Sequence, residues 1–383
     1  MAQSSSVLAA LLLVLVAGEA ATTPYAGGGI RDGQLASSYD RIFSFGDSLT
    51  DTGNAAILPA TAGGPFSHAP YGETYFHHPS GRASDGRLII DFIVESLGLP
   101  QPTPYLAGET ADDFRHGANF AVGGATALDP AFLKSRGIAT FVPVSLSNET
   151  SWFNNVLELL ASTSAYEEES NIMARSVFYF GEIGVNDYIF ALFSNRTAEL
   201  AASLVPDIVA VTRSALTAVI AAGARTVLVT GMIPLGCEPE LLALFPGDAH
   251  GESGCITGFN EVAQLHNRAL NGMLRELRRS HPGTTLFYAD IYRPIADLVA
   301  SPGKYGFGDR PLAAFCGGGA GPYHFDMAAF CGTPDSTESS DPSEFLSWDG
   351  IHFTDAANRF IAQDLLRGLY NASAMAEPQA ALL

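Results

Sequence analysis

The chain has 383 residues, 47% of them hydrophobic and only 16% charged, a balance that describes a packed globule and excludes a disordered chain. Twenty Lys and Arg against forty Asp and Glu leave a formal charge of −20. Such a surface repels phosphate backbones, so nucleic acid is excluded as a partner.

Residues 1–20 read as a secretory leader. The apolar stretch 7–17 has the length of a signal core and falls short of the roughly 20 residues that cross a bilayer; Gly18 and Ala20 suit cleavage after Ala20. The segment before the core has no Lys or Arg, and an uncleaved anchor is the competing reading. No later stretch reads as apolar enough to span, so no stable membrane anchor is expected. Residues 21–40 follow as an N-terminal extension, 41–372 as one domain and 373–383 as a C-terminal tail.

Short apolar runs at 42–45, 118–122, 176–180, 226–229 and 285–288 read as five strands covered on both faces. Helical periodicity spans 87–97. It returns at 199–222, where Leu204, Ile208, Val211, Ala215 and Val219 form a stripe that Pro206 starts or kinks. A third pattern, 257–280, places Phe259, Val262, His266, Leu270, Met273 and Leu277 on one face and ends at Pro282-Gly283. A last helix is expected over 354–369. Alternating strands and helices predict an α/β fold, a three-layer α/β/α sandwich on a mostly parallel five-stranded sheet. Sites in such sheets lie outside the carboxyl ends of the strands.

Three predicted strands deliver chemistry to that edge. Ser48 follows the first, Gly123-Gly124 the second and Asn186 the third. A serine hydroxyl needs a positioned base, and hydrolysis also needs donors for the oxyanion. His352 in Asp349-Gly-Ile-His352 supplies the base, and Asp349 three residues earlier fixes its tautomer. The expected oxyanion donors are the backbone N–H groups of Ser48 and Gly124 and the amide of Asn186. In isolation Gly123-Gly124 reads first as a turn and Asn186 as a helix cap.

Cys237 and Cys255 bracket one Pro/Gly-rich loop, and Cys316 and Cys331 another, so two local disulfides are the economical pairing. Zinc binding would need closer cysteine spacing and a nearby His pair; neither a metal nor a cofactor is expected. Acceptor sequons at Asn148, Asn195 and Asn371 accord with the secretory route.

The ordered blocks carry a resemblance. Phe45-Gly-Asp-Ser-Leu-Thr-Asp-Thr-Gly-Asn54, Gly117-Ala-Asn-Phe-Ala-Val-Gly-Gly-Ala125, Gly181-Glu-Ile-Gly-Val-Asn-Asp187 and Asp349-Gly-Ile-His352 together resemble the four blocks of the GDSL esterase/lipase family, also called SGNH hydrolases. Pro79-Ser-Gly-Arg-Ala-Ser-Asp-Gly-Arg87 and the cysteine-bracketed loops are similar to the plant branch. The resemblance implies a flavodoxin-like fold, a metal-free serine mechanism and secretion to the apoplast or a lumenal compartment. It assigns nucleophile to Ser48, base to His352, orienting acid to Asp349, and oxyanion donors to Ser48, Gly124 and Asn186.

The remaining candidates read as structure. Asp47 is expected to brace the serine turn, His77-His78 to lie on the surface and His266 to be a hydrogen-bonded core residue. His324 and Asp326 are expected in a solvated loop. Phe66, Tyr71, Tyr75 and Phe76 are candidates for a substrate wall or ordinary packing. The expected activity is a monomeric, secreted carboxylic-ester hydrolase acting on acetyl or other short acyl esters of a polysaccharide or plant metabolite. The alternatives are a long-chain lipase and a non-catalytic carbohydrate- or ligand-binding protein on the same fold.

Overall fold

The structure, a computed structural model, describes residues 39–162, 172–195 and 197–376. The expected leader, most of the N-terminal extension and the end of the C-terminal tail lie outside the described residues, as do the side chains of Asn195 and Asn371.

Five strands of the main sheet form where the apolar runs predict them, and one further short strand joins them. They are β1 (Arg41–Phe45), β2 (Thr103–Pro104), β3 (Ala118–Asn119), β4 (Ser176–Phe180), β5 (Thr226–Thr230) and β6 (Thr285–Ala289). The order is β2-β3-β1-β4-β5-β6, every pair parallel. The sheet therefore has six strands and not five. The sixth, β2, is two residues long and lies at an edge; so short an element has no periodicity to read. The predicted 118–122 strand also closes early. The chain leaves formal pairing after Asn119 yet still tracks β1, through Phe120 N–H to the Ser44 carbonyl at 2.8 Å.

Register lines up the aromatic residues of the central pair. Phe43 opposes Phe178 and Phe45 opposes Phe180, with ring centroids 5.3 and 4.4 Å apart. Phe153 from the helix Leu146–Ala161 packs edge-on against Phe43 and Phe178, at 5.8 Å from each. These rings are fully buried, each gaining about 1.5–3 kcal/mol from leaving water.

Helices fall close to expectation at Ile89–Leu97, Thr257–Ser280 and Asp355–Ala376. The predicted stripe of Thr257–Ser280, His266 included, is buried. The predicted 199–222 helix is two, Ala198–Ser203 and Val205–Ala221, separated at Leu204. Pro206 sits in the first turn of the second, where its missing N–H has no intrahelical partner to lose. The expectation that no later segment is apolar enough to span a membrane is corrected here, because Ala198–Ala221 passes that test by length and composition. In this fold Ile208, Thr212, Leu216 and Val219 are buried, as in a core helix.

Both cysteine pairs are joined as expected, Cys237–Cys255 and Cys316–Cys331. The strand order reverses at β1, where neighbouring connections leave in opposite directions and open a crevice.

Candidate active site

The turn after β1 is built by Asp47. Its Oδ1 accepts the Leu49 N–H at 3.0 Å and its carbonyl accepts those of Thr50 and Asp51, at 3.0 and 2.9 Å. Gly46, at φ 143°, allows the chain to turn sharply before it; a Cβ there would lie 3.0 Å from the Glu182 carbonyl oxygen. Ser48 emerges from this turn 7% exposed.

His352 Nε2 stands 2.8 Å from Ser48 Oγ, and its Nδ1 stands 2.7 Å from Asp349 Oδ2. The other oxygen of Asp349 accepts the backbone N–H groups of Ile351 and His352 at 3.0 and 2.8 Å. The carboxylate thus closes the loop and orients the ring together. Burial pushes the Asp349 carboxyl up. The His352 charge, the bonds to its ring and backbone N–H and the Tyr71 hydroxyl outweigh that effect and hold it below the ordinary carboxylate range.

The segment 79–87 docks the helix that follows this loop. Arg82 binds Asp91 through two bonds of 2.8 and 2.7 Å. Asp85 Oδ1 accepts the Asp355 N–H at 2.7 Å, and the Arg87 side chain meets Asp355 at 3.0 Å. Two chain segments 270 residues apart are fixed at the root of the His352 loop.

Gly124 has φ 83°, and a Cβ there would lie 2.6 Å from Val142 Cγ2, so only glycine suits the position. Asn186 lies in the first turn of the helix Val185–Asn195. Its amide nitrogen donates to the Ala125 carbonyl at 2.9 Å and to Asp47 Oδ2 at 3.2 Å. Ser48, Gly124, Asn186 and His352 all line one cleft of about 560 Å³.

Several residues that sequence reading missed hold this edge together. Asp51, 1% exposed, accepts four backbone N–H groups: Gly53 at 2.7 Å, Asn54 at 2.6 Å, Ala55 at 2.8 Å and Gly123 at 2.8 Å. It thereby ties the serine loop to the Gly123-Gly124 loop. Asn119 Nδ2 donates to the Thr50 carbonyl at 2.7 Å, and Asp187 takes the N–H groups of Ala127 and Leu128 at 2.7 and 3.0 Å. The signal was the density of Asp and Asn in blocks where each loop must satisfy its own backbone.

Acids crowd the buried side of the site. Burial pushes Asp47 up to about 6, with Glu182 and the Leu49 N–H opposing the rise. Burial and then Asp47's charge push Glu182 well above the usual range. Burial also raises Asp187 to about 7. Asp349 is set apart from these acids by its contact with the imidazole.

The other candidates sort clearly. His266 is buried, bonded through Nδ1 to the Tyr188 hydroxyl at 2.9 Å, and burial lowers it to about 4. His324 bonds the Ala314 carbonyl and the Thr337 hydroxyl, and Asp326 caps a short turn; neither lines the Ser48 cleft. Phe66 lines the cleft, whereas Tyr71 lies behind Asp349, and Tyr75 and Phe76 stack under Arg87 and Arg82. Among the described residues no group of three or more His, Cys, Asp and Glu is arranged to hold a metal ion.

Residues 42–365 match the family described as GDSL-like Lipase/Acylhydrolase. Among curated proteins the chain is similar to three GDSL esterase/lipases of Arabidopsis thaliana. The first is 42% identical over 339 residues, 87% of this chain and 85% of the relative. The second is 41% identical over 344 residues, 87% and 83% of the two chains, and the third 40% over 344 residues, 86% and 87%.

Proposed function

The chain belongs to the GDSL-like lipase/acylhydrolase family and is a carboxylic ester hydrolase, and from that premise we propose a serine mechanism carried by Ser48, His352 and Asp349. The observation that carries this reading is the 2.8 Å contact between His352 Nε2 and Ser48 Oγ, with Asp349 on the far side of the ring. Ser48 Oγ attacks the ester carbonyl while its proton passes to His352 Nε2. The backbone N–H groups of Ser48 and Gly124 and the Asn186 amide receive the charge that develops on the carbonyl oxygen. The bond to the alcohol oxygen then breaks, and His352 returns the proton to that oxygen. Water attacks the acyl-Ser48 ester, again losing a proton to His352, and the carboxylic acid leaves as Ser48 recovers its proton.

The substrates are acetyl or other short acyl esters of an uncharged alcohol, a polysaccharide or a plant metabolite. We take residues 41–372 as one hydrolase domain that acts as a monomer. Secretion is supported by the leader-like residues 1–20, the sequons at Asn148, Asn195 and Asn371, and the two disulfides, which oxidising compartments favour.

The test is p-nitrophenyl acetate turnover with and without a serine-reactive phosphonate, on protein made through a secretory host. Ser48→Ala and His352→Ala are each expected to lower turnover by about 10⁴ or more. The phosphonate adduct is expected on Ser48. Wild-type turnover in Ser48→Ala, or an adduct on another residue, overturns the assignment.

A further inference from the structure

The chain carries 20 Lys and Arg and 40 Asp and Glu, yet among the described residues none of these side chains lines the cleft above Ser48. The apolar part of its wall is made by Ala55, Ala60, Pro65, Phe66, Phe141 and Ile351, and among the described residues His352 is the one titratable side chain in it. A charged group entering this cleft would give up water and find no counter-charge, at a large cost. An apolar group would gain on entry.

The two aromatic residues stand at chemically different ends. Phe66 sets its ring edge-on to His352 with centroids 5.3 Å apart. Phe141 is 75% exposed and rests edge-on against Phe190 at 5.4 Å. Its neighbour Val142 packs on Gly124, where a Cβ would lie 2.6 Å from Val142 Cγ2. The Phe141 segment is therefore in contact with the loop assigned to the oxyanion, and Phe66 with the ring assigned as base.

Reaction geometry says which half of the ester meets which ring. His352 must return its proton to the departing oxygen, so the alcohol leaves on the Phe66 side. The carbonyl oxygen turns toward Gly124 and Asn186, and the acyl chain continues past them toward Phe141. We infer that Phe141 forms the acyl side of the cleft and selects neutral esters whose acyl group is an unbranched apolar chain longer than acetyl, of the butanoyl-to-hexanoyl class. This rests on the serine mechanism proposed above and narrows its substrate.

Each methylene fully covered by an apolar wall raises kcat/KM by about fourfold; partial cover by an exposed ring yields less. The experiment measures kcat/KM for the p-nitrophenyl esters of acetate, butanoate and hexanoate, below their micelle-forming concentrations. Wild type, Phe141→Ala and Phe141→Leu are compared, with active sites counted by phosphonate titration. Wild type is expected to prefer butanoate over acetate by about tenfold for its two added methylenes. Phe141→Ala should lose most of that ratio, and Phe141→Leu should give an intermediate ratio. The p-nitrophenyl hemisuccinate, whose acyl group ends in a carboxylate, should be at least about tenfold poorer than the butanoate.

A wild-type preference for acetate overturns the inference, as does an unchanged ratio in whichever variant keeps its titre, or rapid turnover of the hemisuccinate. If wild type neither turns over acetate nor takes up the phosphonate, the serine mechanism itself fails. That result is distinct from a normal titre with a flat dependence on chain length.

Discussion

Tyr71 donates its hydroxyl proton to Asp349 Oδ2 at 2.7 Å, across 278 residues of chain, and that same oxygen stands 2.7 Å from His352 Nδ1. The phenol is 1% exposed and packs edge-on against Trp348 and Phe66, with centroids 5.7 and 5.5 Å away. Burial and then the Asp349 charge push its ionisation well above the ordinary phenol range, so it remains a donor throughout the working pH range. Two donors thus share one carboxylate oxygen, and each weakens the hold of the other.

Removing the phenol alone tests the sharing. Tyr71→Phe keeps the ring in its packing and frees Oδ2 for the imidazole, which favours the protonated ring. The acidic limb of the kcat/KM profile should therefore move to higher pH, because protonated His352 cannot accept the serine proton. The measurement is a pH–rate profile normalised to phosphonate-titrated sites. An unmoved limb with a lowered melting temperature would reduce Tyr71 to structural support.

Asn186 offers a second separable effect. One N–H of its amide is held by the Ala125 carbonyl at 2.9 Å, while the other lies 3.2 Å from Asp47 Oδ2. The longer contact is the one that an oxyanion can replace as charge develops. Asn186→Ala should lower kcat by about 10²–10³ with little change in KM, since the bond is strongest in the transition state. Steady-state kinetics on p-nitrophenyl acetate decide it, and a variant with wild-type kcat removes Asn186 from the donor set.

What the sequence made legible follows from local physics. Parallel strands covered on both faces read as unbroken apolar runs, which is why Ser176–Phe180 was bounded correctly. The stripe of Thr257–Ser280 was equally plain because one face of a long helix must be apolar. The residues proposed for catalysis stand in short ordered blocks and were nameable one by one. Tyr71 was not, since an aromatic in a Gly/Pro-rich stretch looks the same whether it lines a cleft or meets a carboxylate 278 residues away. The role of Asp51 was not legible either, because its four N–H partners come from two separate loops. Strand β2 was missed because two residues are too few to show a period, whereas the break at Leu204 was marked only by Pro206, which sits in the first turn of the second helix.

Buried acids give the fold a pH dependence of definite sign. Glu240 is 3% exposed, its Oε2 has no hydrogen-bond partner, and burial and then Asp349's charge push it up to about 8 from the ordinary 4.5. Between those values the unfolded chain has released the proton and the folded protein still holds it. Its contribution to stability is therefore complete below pH 4.5 and is lost as pH rises toward 8. Glu240→Gln keeps the shape of the neutral acid without a proton to lose. Calorimetry should find its melting temperature close to wild type at pH 5 and higher at pH 8 by about 3 °C or more. Equal differences at both pH values would mean that Glu240 does not titrate in this window.

The Cys316–Cys331 disulfide closes a 15-residue separation next to the proposed triad. Its sulfurs join Tyr71, Phe315, Phe345 and Trp348 in a small core of their own. From that core the Cys316 N–H donates to the Trp348 carbonyl at 2.8 Å and the Phe315 N–H to the Ser347 carbonyl at 2.9 Å, holding the residues immediately before Asp349. Freeing the cysteines restores chain entropy to the unfolded state, about 3 kcal/mol for a loop of this length. It also loosens the packing behind Tyr71 and Asp349. The Cys316→Ser, Cys331→Ser double variant, which leaves no lone thiol to mispair, should lose about that much in urea denaturation. At low temperature, where it remains folded, its turnover per titrated site should fall as well. Lost stability with undiminished turnover per site would separate the two roles and leave the disulfide as a brace for the fold alone.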